Sequence, residues 1–159
     1  LLRRARRVEF YAMGNSRAVA LDGQHKFFRF RIPAALYGDS HLLNLAAGLL
    51  GPGDVVIAIS TGGQLPDLLE AVDTARAQGA DVIAITSSKS PLAKKASVCL
   101  AVDHSEDSTT FLSMISRILQ LLLIDIMSVG ISLGAQGEGG QGSQNDIEQR
   151  RLLISHLDV

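Results

Sequence analysis

Four short runs of β-branched and aromatic residues, separated by stretches of helical length, constrain this chain more than any other feature. They are Val8-Glu9-Phe10-Tyr11-Ala12, Asp54-Val55-Val56-Ile57-Ala58-Ile59, Ala80-Asp81-Val82-Ile83-Ala84-Ile85 and Val98-Cys99-Leu100-Ala101-Val102, with a weaker fifth at Ala34-Ala35-Leu36-Tyr37. Such apolar runs read as strands buried on both faces. The intervening segments, residues 16–29, 40–50, 65–78 and a one-turn piece at 91–96, suit helices. Parallel strands need crossovers of that kind, so the alternation predicts an α/β fold: a three-layer α-β-α sandwich around an open five-stranded parallel sheet. The punctuation agrees. Gly51-Pro52-Gly53-Asp54 stops one helix and launches a strand, Gly79 ends the next helix, and Pro91 opens a first helical turn.

A length of 159 residues accommodates one domain with a tail and excludes two full domains. The expected domain spans residues 1–133. Residues 134–146, GAQGEGGQGSQND, are too poor in apolar side chains to repay ordering entropy and read as a flexible segment. Residues 147–159 carry enough Leu and Ile for a short helix or remain a disordered tail. Fifteen basic against sixteen acidic residues exclude a whole-surface electrostatic grip on nucleic acid or anionic lipid. Eight of the fifteen basic residues fall within the first 31 positions, beginning with Arg3, Arg4, Arg6 and Arg7. At a chain start such a cluster reads as a linker or solvated helix end before it reads as a nucleic-acid patch.

The one cysteine, Cys99, cannot form an intramolecular disulfide and reads as a buried, inert small hydrophobe. With no secretory signal visible at the start, the expected location is cytoplasmic. Residues 108–133 are apolar nearly all round. A terminal helix of a small domain has nothing of its own to cover both faces, so a two-fold homodimer through residues 108–133 is expected. The most apolar part, residues 118–133, carries Asp125 and reads as too short and interrupted to span a membrane.

In an open α/β sheet, ligands bind beyond the carboxyl ends of the strands, where helix starts offer free N–H groups and the positive end of the helix dipole. The first such junction is Met13-Gly14-Asn15-Ser16; it lacks the G-x-G-x-x-G of a dinucleotide site, and Ser16 is equally explained as a helix cap. The second, Ser60-Thr61-Gly62-Gly63-Gln64, has the hydroxyls and glycines of an anion nest without the Gly-Lys-Ser/Thr of a P-loop. Taken together at neighbouring strand ends, the two favour an anion site over capping alone. The third, Thr86-Ser87-Ser88-Lys89-Ser90-Pro91, adds hydroxyls, although capping before Pro91 accounts for Ser90. At the fourth, Asp103-His104-Ser105-Glu106-Asp107, carboxylates beside a histidine suit proton transfer α to a carbonyl as well as they suit a helix N-terminus. His25 and His41 lack metal-ligand spacing; neither a metal nor a cofactor is expected.

In order, these stretches resemble a sugar isomerase (SIS) domain, a flavodoxin-like Rossmannoid fold, and specifically the C-terminal effector domain of RpiR-type transcriptional regulators in the HexR branch. The resemblance is carried by Arg7-Val8-Glu9-Phe10-Tyr11-Ala12-Met13-Gly14-Asn15-Ser16, Asp22-Gly23-Gln24-His25-Lys26-Phe27-Phe28-Arg29, Gly53-Asp54-Val55-Val56-Ile57-Ala58-Ile59-Ser60, Ile85-Thr86-Ser87-Ser88-Lys89-Ser90-Pro91-Leu92-Ala93 and Ser113-Met114-Ile115-Ser116-Arg117-Ile118. It implies a dimerising sensor of a phosphorylated sugar or sugar acid, such as 2-keto-3-deoxy-6-phosphogluconate or glucose 6-phosphate. It also implies DNA binding through a helix-turn-helix outside this chain, and in some such proteins the domain follows a glucokinase. Ser16 and Ser60 correspond to the family's phosphate-facing hydroxyls and Glu106 to the acidic residue that faces the sugar; Asn15, Thr61, Gly62, Gly63 and Gln64 complete the expected site. After Ser60 the family reads x, Ser or Thr, Gly, x, Thr, whereas Thr61, Gly62, Gly63, Gln64 and Leu65 stand here. At about 1.5 to 3 kcal/mol per hydrogen bond to a charged group, two lost hydroxyls cost about 10² to 10⁴ in affinity unless other donors replace them. Three readings follow: a phosphosugar-responsive regulatory domain with altered pocket chemistry, a dimerisation module without a ligand, and, ranked last, an isomerase using Glu106 and a histidine.

Overall fold

The computed structural model describes residues 1–103 and 114–137, with side chains through residue 133. Five parallel strands, β1 (Arg7–Ala12), β2 (Ala34–Tyr37), β3 (Asp54–Ile59), β4 (Asp81–Thr86) and β5 (Val98–Ala101), form one sheet in the order β2-β1-β3-β4-β5. Helix α1 (Arg17–Arg29) and the long α5 (Met114–Gly137) pack on one face; α2 (Ser40–Gly48), α3 (Pro66–Ala77) and the short α4 (Pro91–Lys95) pack on the other. The direction of travel explains the sides. β1 to β2 crosses one way and β2 to β3 returns the other way, and right-handed crossovers then force the helices onto opposite faces.

Alternate residues of each central strand feed the two cores. Val8, Phe10, Ala12, Ile57 and Ile85 join α1 and α5, while Tyr11, Val56, Ala58 and Val82 join α2 and α3. Phe10 meets Phe27 edge to face at 5.3 Å. The backbone of α1 approaches so closely at Gly23 that a Cβ there would lie 2.5 Å from the Phe10 ring, which only glycine permits.

The Arg-rich start is structural. Arg6 grips the fully buried Asp54 carboxylate through Nε (2.8 Å) and Nη2 (2.7 Å), Arg7 Nε lies 3.2 Å from the same group, and the Gly51 N–H donates to it at 2.9 Å. These contacts fasten β1 to the head of β3. Beside them the buried Glu9 accepts from the Tyr11 hydroxyl at 2.8 Å. The Arg6 side chain, above all, holds Asp54 below the usual carboxylate range, whereas burial pushes Glu9 above it. The two groups therefore have opposite linkage. Asp54 contributes stability that is present above about pH 3.8 and lost as the pH falls through its lower folded value; Glu9 contributes stability that is present below about pH 4.5 and lost as the pH rises through its higher one. Glu9→Gln keeps the acceptor for Tyr11 and abolishes the charge. Urea midpoints of this variant should be higher than wild type at pH 8, and the two proteins should converge near pH 4; a constant gap across that range would remove Glu9 as the cause.

Several expectations need correcting. β5 is not buried on both faces: it is a four-residue edge strand, and Val98, Cys99 and Ala101 are exposed because, among the described residues, no strand pairs beyond it. Cys99 is accordingly an exposed thiol, although partial burial of the sulfur and the Asp103 charge hold its pKa above the ordinary cysteine value and keep it protonated. Helix α5 continues to Gly137, four residues into the segment expected to be flexible, since Ala135 and Gln136 extend a helix at little cost. Residues 138–159 lie outside the described residues.

By length and composition, Met114–Leu133 is long and apolar enough to cross a membrane, contrary to the sequence expectation. One stripe of it nevertheless lies on the domain, where the polar Ser116, Gln120 and Ser128 are buried beside Ile124 and Ile131, and Lys26 of α1 bridges Asp22 and Asp125. The exposed stripe is mostly apolar, Met114, Ile115, Ile118, Leu122, Ile126, Val129 and Leu133, with the exposed Asp125 among them.

Candidate functional site

Strand order reverses between β1 and β3, and Ala12 pairs in register with Ile59. The two expected junctions therefore leave the sheet side by side, at the switch point where open α/β sheets hold ligands. At the first, Gly14 (φ +57°) turns the chain into a single 3₁₀ turn, Gly14–Ser16, that runs directly into α1. Asn15 is exposed and Ser16 half buried. Ser16 makes no side-chain capping bond, so capping does not account for it. Its hydroxyl stands at a helix start whose first amides have no intrahelical partners.

At the second junction Ser60 is 6% exposed, and its hydroxyl accepts the Gly63 N–H at 3.2 Å. A hydroxyl that accepts in this way keeps one proton to donate. Thr61 is half buried; its Oγ1 accepts from Gln120 Nε2 at 3.2 Å, and its carbonyl accepts the Ser87 N–H at 3.3 Å. Gly62 and Gln64 are exposed. Gly63 adopts φ +58°, and its carbonyl accepts the Leu92 N–H at 3.1 Å. Chain and side chains thus pin this loop to the β4–α4 connection on one side and to α5 on the other. Helix α3 follows with Pro66 at its first turn and no side-chain cap; Asp67 accepts from the Ser40 hydroxyl.

The hydroxyls of the third junction serve the fold. Thr86 and Ser90 share a hydrogen bond at 3.1 Å, and Ser90 caps α4 through the Ala93 N–H at 3.1 Å. Asp103, at the end of β5, accepts from the Ser87 hydroxyl (3.2 Å) and the Ser88 N–H (2.8 Å). The Ser88 hydroxyl and amide hold the Asp103 carboxylate below its usual range. An intramolecular carboxylate therefore already occupies the anion-binding geometry of this loop. Of the fourth junction, His104, Ser105, Glu106 and Asp107 lie outside the described residues. His25 and His41 are exposed, and among the described residues no cluster of three His, Cys, Asp or Glu side chains could hold a metal ion.

The structure thus places Asn15, Ser16, Ser60, Thr61, Gly62, Gly63 and Gln64 at the ends of the adjacent strands β1 and β3. Sequence reasoning missed Gln120 and the Asp103 clasp. Gln120 had one available signal, an amide in the middle of an apolar run; the clasp had none, because it depends on β5 ending beside β4. Chemically these two strand ends offer hydroxyl and amide donors at two helix starts, a set suited to binding an anion.

The SIS domain family matches residues 1–129. The chain is 52% identical over 141 residues to the bifunctional protein glk of Burkholderia orbicola, covering 89% of this chain and 22% of that protein. It is 38% identical over 133 residues to the HTH-type transcriptional regulator HexR of Pseudomonas aeruginosa, covering 84% and 47% respectively. It thus spans about a fifth of the first relative and about half of the second. Among solved structures, the Vibrio vulnificus NanR protein complexed with ManNAc-6P superposes with a TM-score of 0.82 at 19% identity, covering 98% of this chain and 56% of that one. Strand order, paired loops and a match over most of its length agree: the chain belongs to the SIS domain family.

Proposed function

We propose that this domain senses a phosphorylated sugar or sugar acid in the cytoplasm, acting as the dimerising effector part of an RpiR-type regulator whose DNA-binding segment lies outside this chain. The observation that carries the reading is the meeting of Gly14-Asn15-Ser16 and Ser60-Thr61-Gly62-Gly63-Gln64 at the β1/β3 switch point. Identity to HexR supports the regulatory role, and identity to the glk proteins supports a setting beside sugar phosphorylation. The ligand of NanR has the same chemistry, a phosphorylated sugar. The sugar-facing role of Glu106 belongs to this proposal.

The outer stripe of α5, apolar apart from Asp125 at its edge, supports the dimer. At 1.5 Å per residue it runs for about 28 Å. A domain that buries polar residues on the inner side of a helix and exposes seven large apolar ones on the outer side is built to have that side covered. A two-fold pairing covers it with its own copy.

Calorimetric titration of the purified domain with 2-keto-3-deoxy-6-phosphogluconate and glucose 6-phosphate tests the sensor. Binding below millimolar is expected, and Ser60→Ala should weaken it about tenfold to a hundredfold, the worth of one hydrogen bond to a charged group. Silence of the unaltered domain up to millimolar ester would leave the dimerisation module as the reading. That alternative draws on one observation, the commitment of the third loop's hydroxyls to the fold.

A further inference from the structure

We infer that Gln120 is a positioning residue for the anion loop: its side chain aims the Thr61 hydroxyl at the ligand and makes ligand binding and pairing through α5 depend on each other. This rests on the phosphosugar reading above. Gln120 is 1% exposed on a helix otherwise made of apolar residues and serines on that stripe. Burying an amide is costly unless it is hydrogen bonded, and the bond it makes reaches across 59 positions of sequence to Thr61 Oγ1. An apolar side chain would fill the same space at less cost, so the amide calls for a reason other than packing.

The amide nitrogen can only donate, so the Thr61 oxygen is held as an acceptor and its proton is turned away from α5. Thr61 adjoins Ser60 just past the end of β3. It stands one place ahead of the hydroxyl that the family pattern leads one to expect, in a loop that has lost that hydroxyl and the next. A threonine fixed from behind by Gln120 supplies the missing donor from the neighbouring position. On the other side, Ile118 and Leu122 flank Gln120 on α5 and belong to the exposed apolar stripe. One rigid helix therefore touches both the loop and the surface assigned to the partner copy. A ligand that draws Thr61 inward moves Gln120 and the stripe together, and by linkage the partner affects ligand affinity by the same factor.

The test uses the whole 159-residue domain in four forms: wild type, Gln120→Met, Thr61→Val and the double variant, titrated with glucose 6-phosphate, 2-keto-3-deoxy-6-phosphogluconate and inorganic phosphate. Each single substitution should weaken ester binding about tenfold, and the double variant should be no more than about threefold weaker than either, because both break one device. In the wild type, saturating ester should tighten the dimer about fivefold or more by sedimentation; in Gln120→Met this tightening should vanish. Gln120→Glu keeps the shape while replacing the donor by an anion that captures the Thr61 proton, and it should also lose at least tenfold in ester affinity. Thr61→Ser should retain binding. A Gln120→Met or Gln120→Glu protein that binds ester like wild type, or losses that multiply in the double variant, would overturn the role of Gln120 while leaving the sensor intact. An unaltered domain that binds no ester overturns both.

Discussion

Gly63→Ala should destabilise the domain by about 2 to 5 kcal/mol and abolish ester binding. A left-handed conformation costs a residue with a Cβ about 1 to 2 kcal/mol, and Gly63 sits at φ +58°. The new methyl group would also lie 2.4 Å from Thr86 Oγ1 and 2.5 Å from Ser90 Oγ. Those two hydroxyls are bonded to each other and Ser90 caps α4, so neither gives way without breaking something else, and such overpacking typically costs about 1 to 3 kcal/mol. Gly62→Ala is the matched control. Its φ is not in the left-handed region and no atom lies within 4 Å of a Cβ there, so its unfolding midpoint should stay within about 0.5 kcal/mol of wild type. Urea denaturation of both variants decides the matter; equal midpoints would mean the loop is not clamped between β3 and α4.

The second large effect is expected on α5. Ile118→Lys combined with Leu122→Lys should convert the proposed dimer to a monomer at micromolar protein without unfolding it, because both side chains are more than half exposed within one chain. Burying such a side chain is worth about 1.5 to 3 kcal/mol, and a two-fold interface counts each substitution twice. The loss of about 6 to 12 kcal/mol compares with about 8 kcal/mol for an entire micromolar association. Leu45→Lys, on the exposed side of α2, should leave the sedimenting mass unchanged. A wild-type domain that runs as a monomer, or a doubly substituted one that still runs as a dimer, would remove the α5 stripe as the interface.

The strands and helices were legible almost to the residue because hydrophobic periodicity and Gly/Pro punctuation are local signals: β2 and β3 begin and end where the sequence places them, and α3 differs by one residue at each end. Strand order is not local. Val98-Cys99-Leu100-Ala101 is as apolar as a central strand, and only its place at the sheet's rim exposes it. The site divides along the same line. Ser16, Ser60 and the glycines were visible as strand-end punctuation, and their proximity followed from the topological rule. The bonding that decides what each hydroxyl is free to do was not, since Gln120 reaches Thr61, and Asp103 reaches Ser87 and Ser88, through space. Arg6 and Arg7 show the same limit: a basic run that reads as linker becomes a clamp once Asp54 is placed opposite.

The first strand of this chain is an interior strand. β1 hydrogen-bonds on one side to β2 and on the other to β3, so it waits for both to be synthesised, and neither can dock correctly without it. Where one trims such a protein for expression is therefore not a matter of convenience at this end. A cut within residues 7–12 would strand β2 alone and discard Phe10, Tyr11 and the anchors of Asp54, whereas β5 at the rim has a single strand partner to lose.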